Sequence, residues 1–175
     1  MHVNLRGSSL ERTSMPLFEK SEKKSTRRSR PSIRIFFVDS NVFIAAIKNP
    51  RKRTRTLELL IRMIEDPSIN LVGNELLTYE TLRYAELLKS PIAAALVAAL
   101  LNKTAIVSVS ENYRRVCTAY LKTPDPADVL HAATCLQAGA VLVTNDRHFR
   151  RIKKEGIIDV WTIAEAIRRL SSSSE

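Results

Sequence analysis

Asp125–Phe149 reads DPADVLHAATCLQAGAVLVTNDRHF, and its order is helix, stop, strand and polar turn. Asp125 can cap a helix that opens on Pro126, where a missing amide proton costs nothing. Small and apolar residues run on to Ala138. Gly139 then stands where helices commonly end in a left-handed residue. Ala140–Val143 is an apolar run without polar alternation, the pattern of a strand covered on both faces. Thr144-Asn145-Asp146 follows at once, so this strand ends on a carboxylate.

The same texture extends in both directions. Upstream, Ile33–Val38 (IRIFFV) reads as a buried strand followed by a helix over Ser40–Ile47. Arg53–Asp66 carries Leu57, Leu60, Ile61 and Ile64 at helical spacing. Ile69–Val72 and Ala105–Val109 read as strands. Between them lie a helix capped by Asn74 and running to Lys89, and another over Ile92–Lys103. Glu111–Lys122 is helical. Downstream, Ile157–Val160 reads as a fifth strand and Ile163–Leu170 as a closing helix. Strands alternating with helices predict an α/β fold with a mostly parallel sheet and right-handed crossovers. In such sheets, sites form beyond the carboxyl ends of the strands.

Composition narrows the function classes. The chain has 175 residues, 45% of them hydrophobic, with two cysteines and a net charge of +10. Cys117 and Cys135 cannot build a disulfide framework or a four-cysteine zinc site, and read as small buried thiols. The longest uncharged apolar stretch, Pro91–Leu101, is about half of a membrane span. A cytoplasmic protein with no membrane partner is expected. The basic balance suits a polyanion such as RNA. Half of it falls in residues 1–32, with eight Lys/Arg against three Asp/Glu. That segment reads as a disordered N-terminal extension, either solvated or an RNA-contacting arm. Residues 33–170 read as the folded domain and 171–175 as a tail.

GxGxxG, GxxxxGK[ST] and GxSxG are all missing. Acids occupy the strand ends instead. Asp39 directly follows the first strand and Asp146 the fourth, which places both at one edge of a parallel sheet. Asp128 lies in the first turn of the helix from Pro126. Glu80 falls on the stripe of Leu76, Leu77, Tyr84 and Leu87, where it interrupts an otherwise core-like face. Each aspartate also fits an innocent role as a helix cap or first-turn acid, and Asp125 reads as a cap. Capping does not account for Glu80. If Asp39, Glu80, Asp128 and Asp146 converge, a divalent cation relieves their repulsion, and all-oxygen ligation favours Mg²⁺ or Mn²⁺. One or two such ions can drive phosphodiester hydrolysis without a Ser, Cys or His nucleophile.

FVDSNVFIAA, LLTYETLR and the block from Asp125 to Phe149, with the spacing between them, resemble the PIN-domain ribonucleases, and among them VapC-like toxins of toxin–antitoxin pairs. The likeness spans about residues 33–170. It implies a three-layer α/β fold with a parallel sheet of order 3-2-1-4-5 and helices on both faces. It also implies a Mg²⁺/Mn²⁺-dependent endoribonuclease, restrained by an antitoxin and acting as a homodimer. Asp39, Glu80, Asp128 and Asp146 match the family's four acids, and Ser40, Thr144 and Asn145 its supporting polar groups. Glu75 is the rival for the second acid. His131 reads as a packed core histidine with metal ligation as the alternative, and His148 as a substrate contact. Arg53, Arg147 and Arg150, within two basic clusters near the expected cleft, are RNA-contact candidates, with a solvated face as the other reading. The competing functions are a non-catalytic RNA-binding module of the same fold and a housekeeping RNA-processing nuclease. A phosphatase of the haloacid dehalogenase type would want an aspartate at position 41, which is Asn.

Overall fold

A computed structural model describes residues 34–48, 51–121 and 125–171. The expected extension over residues 1–32 and the final residues 172–175 lie outside them. The described residues belong to one compact unit. Its elements in chain order are β1 (Arg34–Val38), α1 (Ser40–Ile47), α2 (Arg55–Glu65), β2 (Ile69–Gly73), α3 (Glu75–Leu88) and α4 (Pro91–Lys103). Then come β3 (Thr104–Ile106), α5 (Glu111–Tyr120), α6 (Pro126–Ala138), β4 (Val141–Val143), a 3-10 turn (Arg147–Phe149), α7 (Arg150–Lys154), β5 (Val160–Trp161) and α8 (Ile163–Ser171).

The sheet is parallel throughout, in the order β3-β2-β1-β4-β5. Alternation along the strands divides the core into two. Phe36, Val38, Leu71 and Val143 pack on one side with α1, α2, α4 and α8. Phe37, Val72, Leu142 and Val160 pack on the other with α5, α6 and α7. Covering both faces explains the apolar, non-alternating strands. Chain direction across the sheet reverses between β1 and β4, which makes their carboxyl ends the topological switch point.

Local chemistry sets the element ends. Gly139 ends α6 at φ +62°, a left-handed conformation that costs a residue with a Cβ more than glycine. Gly73 closes β2 against β3, where a Cβ would meet the Thr104 methyl at 2.9 Å. Thr54 caps α2 through the amide of Leu57, so that helix begins two residues later than its pattern suggests.

Three readings change. The fifth strand is Val160–Trp161, in register with Leu142 and Val143. Ile157 and Ile158 are apolar because they fill the core beneath α7, after a turn at Gly156 (φ +66°). The third strand stops at Ile106, and Val107 and Val109 pack inward as loop residues. The stripe on α3 is not a core face: Leu77 is buried, but Tyr84 is 36% and Leu87 64% exposed. Both cysteines are free and buried, and burial pushes the Cys117 thiol up to about 11. Among the described residues, no helix is long and apolar enough to cross a membrane.

Candidate active site

One hydroxyl links the two acidic strand ends at the switch point. Thr144, buried just after β4, donates its Oγ1 hydrogen to Asp39 Oδ2 at 2.5 Å and accepts the amide of Asp146 at 3.0 Å. The other Asp39 oxygen accepts the Asn41 amide at 3.1 Å and the Ser40 hydroxyl at 3.4 Å. Asp39 is therefore both the cap of α1 and a buried carboxylate aimed from the sheet edge. Asp146 likewise accepts the His148 amide at 2.8 Å, which starts the 3-10 turn. Capping and site placement are compatible here, because each hydrogen bond occupies one lone pair of a carboxylate that has about four.

Asp39, Ser40, Glu80, Asp128 and Asp146 line a single cavity of about 230 Å³, together with Arg83, Tyr84, Asp125, His131 and His148. Glu75 does not line it, so Glu80 is the acid that α3 contributes. Larger cavities lie elsewhere, on basic and mixed surfaces, whereas this one gathers the acids from four separate segments.

Glu80 and Asp128 meet different surroundings. The His131 ring faces Glu80 from 3.8 Å and holds it below the usual carboxylate range, against the opposing pull of burial. That separation is too long for a hydrogen bond, and among the described residues the buried Glu80 Oε2 has no hydrogen-bond partner. Burial instead raises the Asp128 carboxyl above its ordinary value; His148 opposes this and the neighbouring Asp146 charge adds to it.

His131 is a packed core histidine, 3% exposed and tilted against Phe37 at 4.9 Å, and it has an edge in the cleft. Asn74 accepts the Leu77 amide through Oδ1, so its Nδ2 donates to His131 Nδ1 at 3.2 Å and to Thr134 Oγ1 at 2.8 Å. With Nδ1 accepting, the ring's N–H is on Nε2, facing Glu80. His148 reaches Asp128 Oδ2 at 2.9 Å and Asp146 Oδ1 at 3.6 Å through Nδ1, and both carboxylates raise its pKa.

Several expected residues stand elsewhere. Asn145 is exposed and accepts the Ile163 amide at 3.1 Å, so it anchors the start of α8 rather than the cleft. Arg53 lines a separate cavity with Leu57 and Glu58. Arg147 and Arg150 are exposed on the turn beyond Asp146 and do not line the cleft. Arg83 and Tyr84 do line it. Both sit at the end of the LLTYETLRY stretch that carries Glu80, three and four residues on, a helical spacing that already placed them on its face.

Comparison with known proteins adds the family. The PIN domain family matches residues 36–155. The chain belongs to the PIN-domain family. A solved structure described as VapBC2 from Rickettsia felis bound to a DNA fragment from its promoter matches with a TM-score of 0.51 and 19% identity. The match covers 73% of this PIN protein and 98% of that chain. At that identity it bears on the fold, whose strand order and parallel sheet are those expected. No curated protein sequence matches the chain.

Proposed function

We propose that the protein is a Mg²⁺- or Mn²⁺-dependent endoribonuclease that hydrolyses RNA phosphodiesters, and the toxin of a toxin–antitoxin pair. The observation that carries this reading is the convergence of Asp39, Glu80, Asp128 and Asp146 on one cleft at the switch point, where the buried Glu80 Oε2 has no hydrogen-bond partner among the described residues. A protein that merely bound RNA would gain nothing from carboxylates facing a phosphate backbone.

The residues present fit a divalent ion. An orphaned carboxylate oxygen and three neighbouring acids form a hard, oxygen-rich donor set. Asp39, Glu80, Asp128 and Asp146 would hold it. When bound, such an ion supplies Lewis acidity to a phosphoryl oxygen and lowers the pKa of an attacking water. The chain's own residues do the rest. Thr144 and Ser40 hold Asp39 in one orientation. His131 sets the direction of Glu80. Arg83, in the cleft wall, offers a cation to a phosphate. Exposed Arg147 and Arg150 extend that positive surface beyond Asp146.

The antitoxin partner is supported by the VapBC complex among the structural matches. It is also supported by large exposed apolar residues, Tyr79, Leu82, Leu87 and Ile92, on α3 and the start of α4. A homodimer and a cytoplasmic location complete the proposal. Purified protein should cleave RNA only with Mg²⁺ or Mn²⁺, stop with EDTA, and lose activity in Asp39→Asn and Asp146→Asn. Cleavage retained in both variants overturns the mechanism. Metal-independent RNA binding without cleavage supports a binding module instead.

A further inference from the structure

We propose that His148 is a metal ligand: with Asp128 and Asp146 it forms a mixed nitrogen–oxygen pole of the cleft's ion site, tilting the site from Mg²⁺ toward Mn²⁺ and later first-row ions. The inference rests on the reading of the cleft as a divalent-metal site, and names what selects the metal there.

Geometry is the first support. His148 Nδ1 lies 2.9 Å from one Asp128 oxygen and 3.6 Å from one Asp146 oxygen. One ligand atom from each of the three residues lies within 4.8 Å of the others. Donors sharing one ion through bonds of about 2.1 Å stand roughly 3 Å apart when adjacent, so the three atoms already have the spacing of a coordination set.

The second support is how the ring is delivered. The His148 amide is fixed on Asp146 Oδ1 at 2.8 Å. The next residue, Phe149, is 1% exposed, and Ile152 one turn on is fully buried. Backbone and buried neighbours therefore hold an otherwise exposed ring over the acids. A surface ion pair alone contributes little to stability and needs no such anchoring.

The third support is exclusion of the other candidate. His131 uses Nδ1 to accept from Asn74, and its Nε2 proton faces Glu80, so both of its nitrogens are committed. Among the described residues, only His148 offers an imidazole nitrogen to the Asp128–Asp146 pair. An imidazole donor raises affinity for Mn²⁺ and the ions after it far more than for Mg²⁺, which prefers oxygen.

The test is direct metal binding to the full chain. Titration calorimetry with MnCl₂ and MgCl₂ should show Mn²⁺ bound at least about tenfold more tightly than Mg²⁺. Pulsed EPR of the Mn²⁺-loaded protein should show ¹⁴N modulation from a directly bound imidazole. His148→Gln, checked by circular dichroism for an unchanged fold, should abolish that modulation. It should weaken Mn²⁺ about tenfold and Mg²⁺ less than about threefold. Mn²⁺ binding without ¹⁴N modulation, modulation that survives in His148→Gln, or equal weakening of both ions overturns the proposal and leaves the metal site standing. Failure of the unaltered protein to bind either ion overturns the proposal together with the metal site.

Discussion

Glu80 and Asp128 face one cleft from two helices, yet the fold treats them oppositely. Glu80 is held below the ordinary carboxylate range by His131, whereas Asp128 is raised by burial. The helices differ in the same sense. α6 buries Val129, His131 and the whole run Ala132–Cys135, and begins with a capped proline. α3 buries only Leu77 and Thr81, and turns Tyr79, Leu82 and Leu87 to solvent. The lightly packed helix thus carries the acid whose charge is stabilised, and the firmly packed helix carries the acid whose charge is penalised. A site acid need not be oriented by its own helix: Glu80 is directed by a histidine that α6 supplies.

The largest effect that can break this contrast is on activity and on the metal-free fold together. Glu80→Gln and Asp128→Asn should each reduce RNA cleavage by more than the roughly 10–100-fold typical of outer-shell partners of a metal. In EDTA their melting temperatures should move in opposite directions. Glu80→Gln removes a charge the fold favours and lowers the melting temperature. Asp128→Asn removes a desolvated charge repelled by Asp146 and raises it. Shifts of the same sign in thermal melts would show that the cleft treats the two acids alike.

The join between the helices comes next. Asn74 caps α3 on the Leu77 amide and donates across to His131 and Thr134 of α6. Asn74→Ala removes the cap and leaves two buried polar groups short of a partner, a loss of roughly 2–3 kcal/mol. Denaturant titration measures it. Activity should fall as well, because the His131 proton is no longer committed to the Glu80 side. A loss below about 1 kcal/mol would mean that the helices are joined by apolar packing alone.

A smaller and signed test lies at the helix ends. α6 ends on Gly139 at φ +62°, and α3 on Lys89 at φ +45°. A Cβ at 139 meets nothing within 4 Å, so Gly139→Ala tests backbone conformation alone and should cost about 1 kcal/mol. Lys89→Gly should do the reverse and gain about 0.5–1 kcal/mol. Equal effects of one sign in urea titrations would contradict the view that α3 ends under strain and α6 does not.

How much of this is legible in the sequence depends on which residues set it. The parallel sheet and both helix-end signals at Pro126 and Gly139 follow from local chemistry, and they appear as expected. Asp39, Asp128 and Asp146 converge because strand ends and helix starts fall at a common edge, which element order already implies, and Glu80 reaches the same cleft from the second turn of α3. What was not legible depends on contacts across the chain. The Leu76–Leu87 pattern has helical period, but no element among the described residues covers its outer half, and Tyr84 and Leu87 are exposed. Ile157 and Ile158 look like a strand because burial in a loop and burial in a sheet demand the same side chains. Asn145 lies between Thr144 and Asp146 and points out, as alternation along an extended segment requires. His148 becomes a site residue only because the Asp146 cap turns its ring back toward Asp128.

The smallest effect supplies the reference against which the two cleft acids are judged. Glu165, outside the cleft, has the full set of partners that Glu80 lacks. Its Oε2 accepts the Thr162 amide at 2.7 Å, while Thr162 Oγ1 accepts the Glu165 amide at 3.1 Å. This Thr-x-x-Glu capping box sits at the start of α8. Lys153 adds a cation at 3.1 Å, and the backbone hydrogen bond, with the lysine behind it, brings the carboxyl down to about 2. The folded value lies below the unfolded one near 4.5, so the stabilisation is complete above pH 4.5 and disappears as pH falls toward 2. Glu165→Gln should therefore cost about 0.5–1 kcal/mol at pH 7, and the gap to the unaltered protein should narrow in urea titrations at pH 3. A gap that is constant with pH would mean that the box acts through neutral hydrogen bonds. The charge of a fully partnered acid would then be no measure of what His131 does for Glu80.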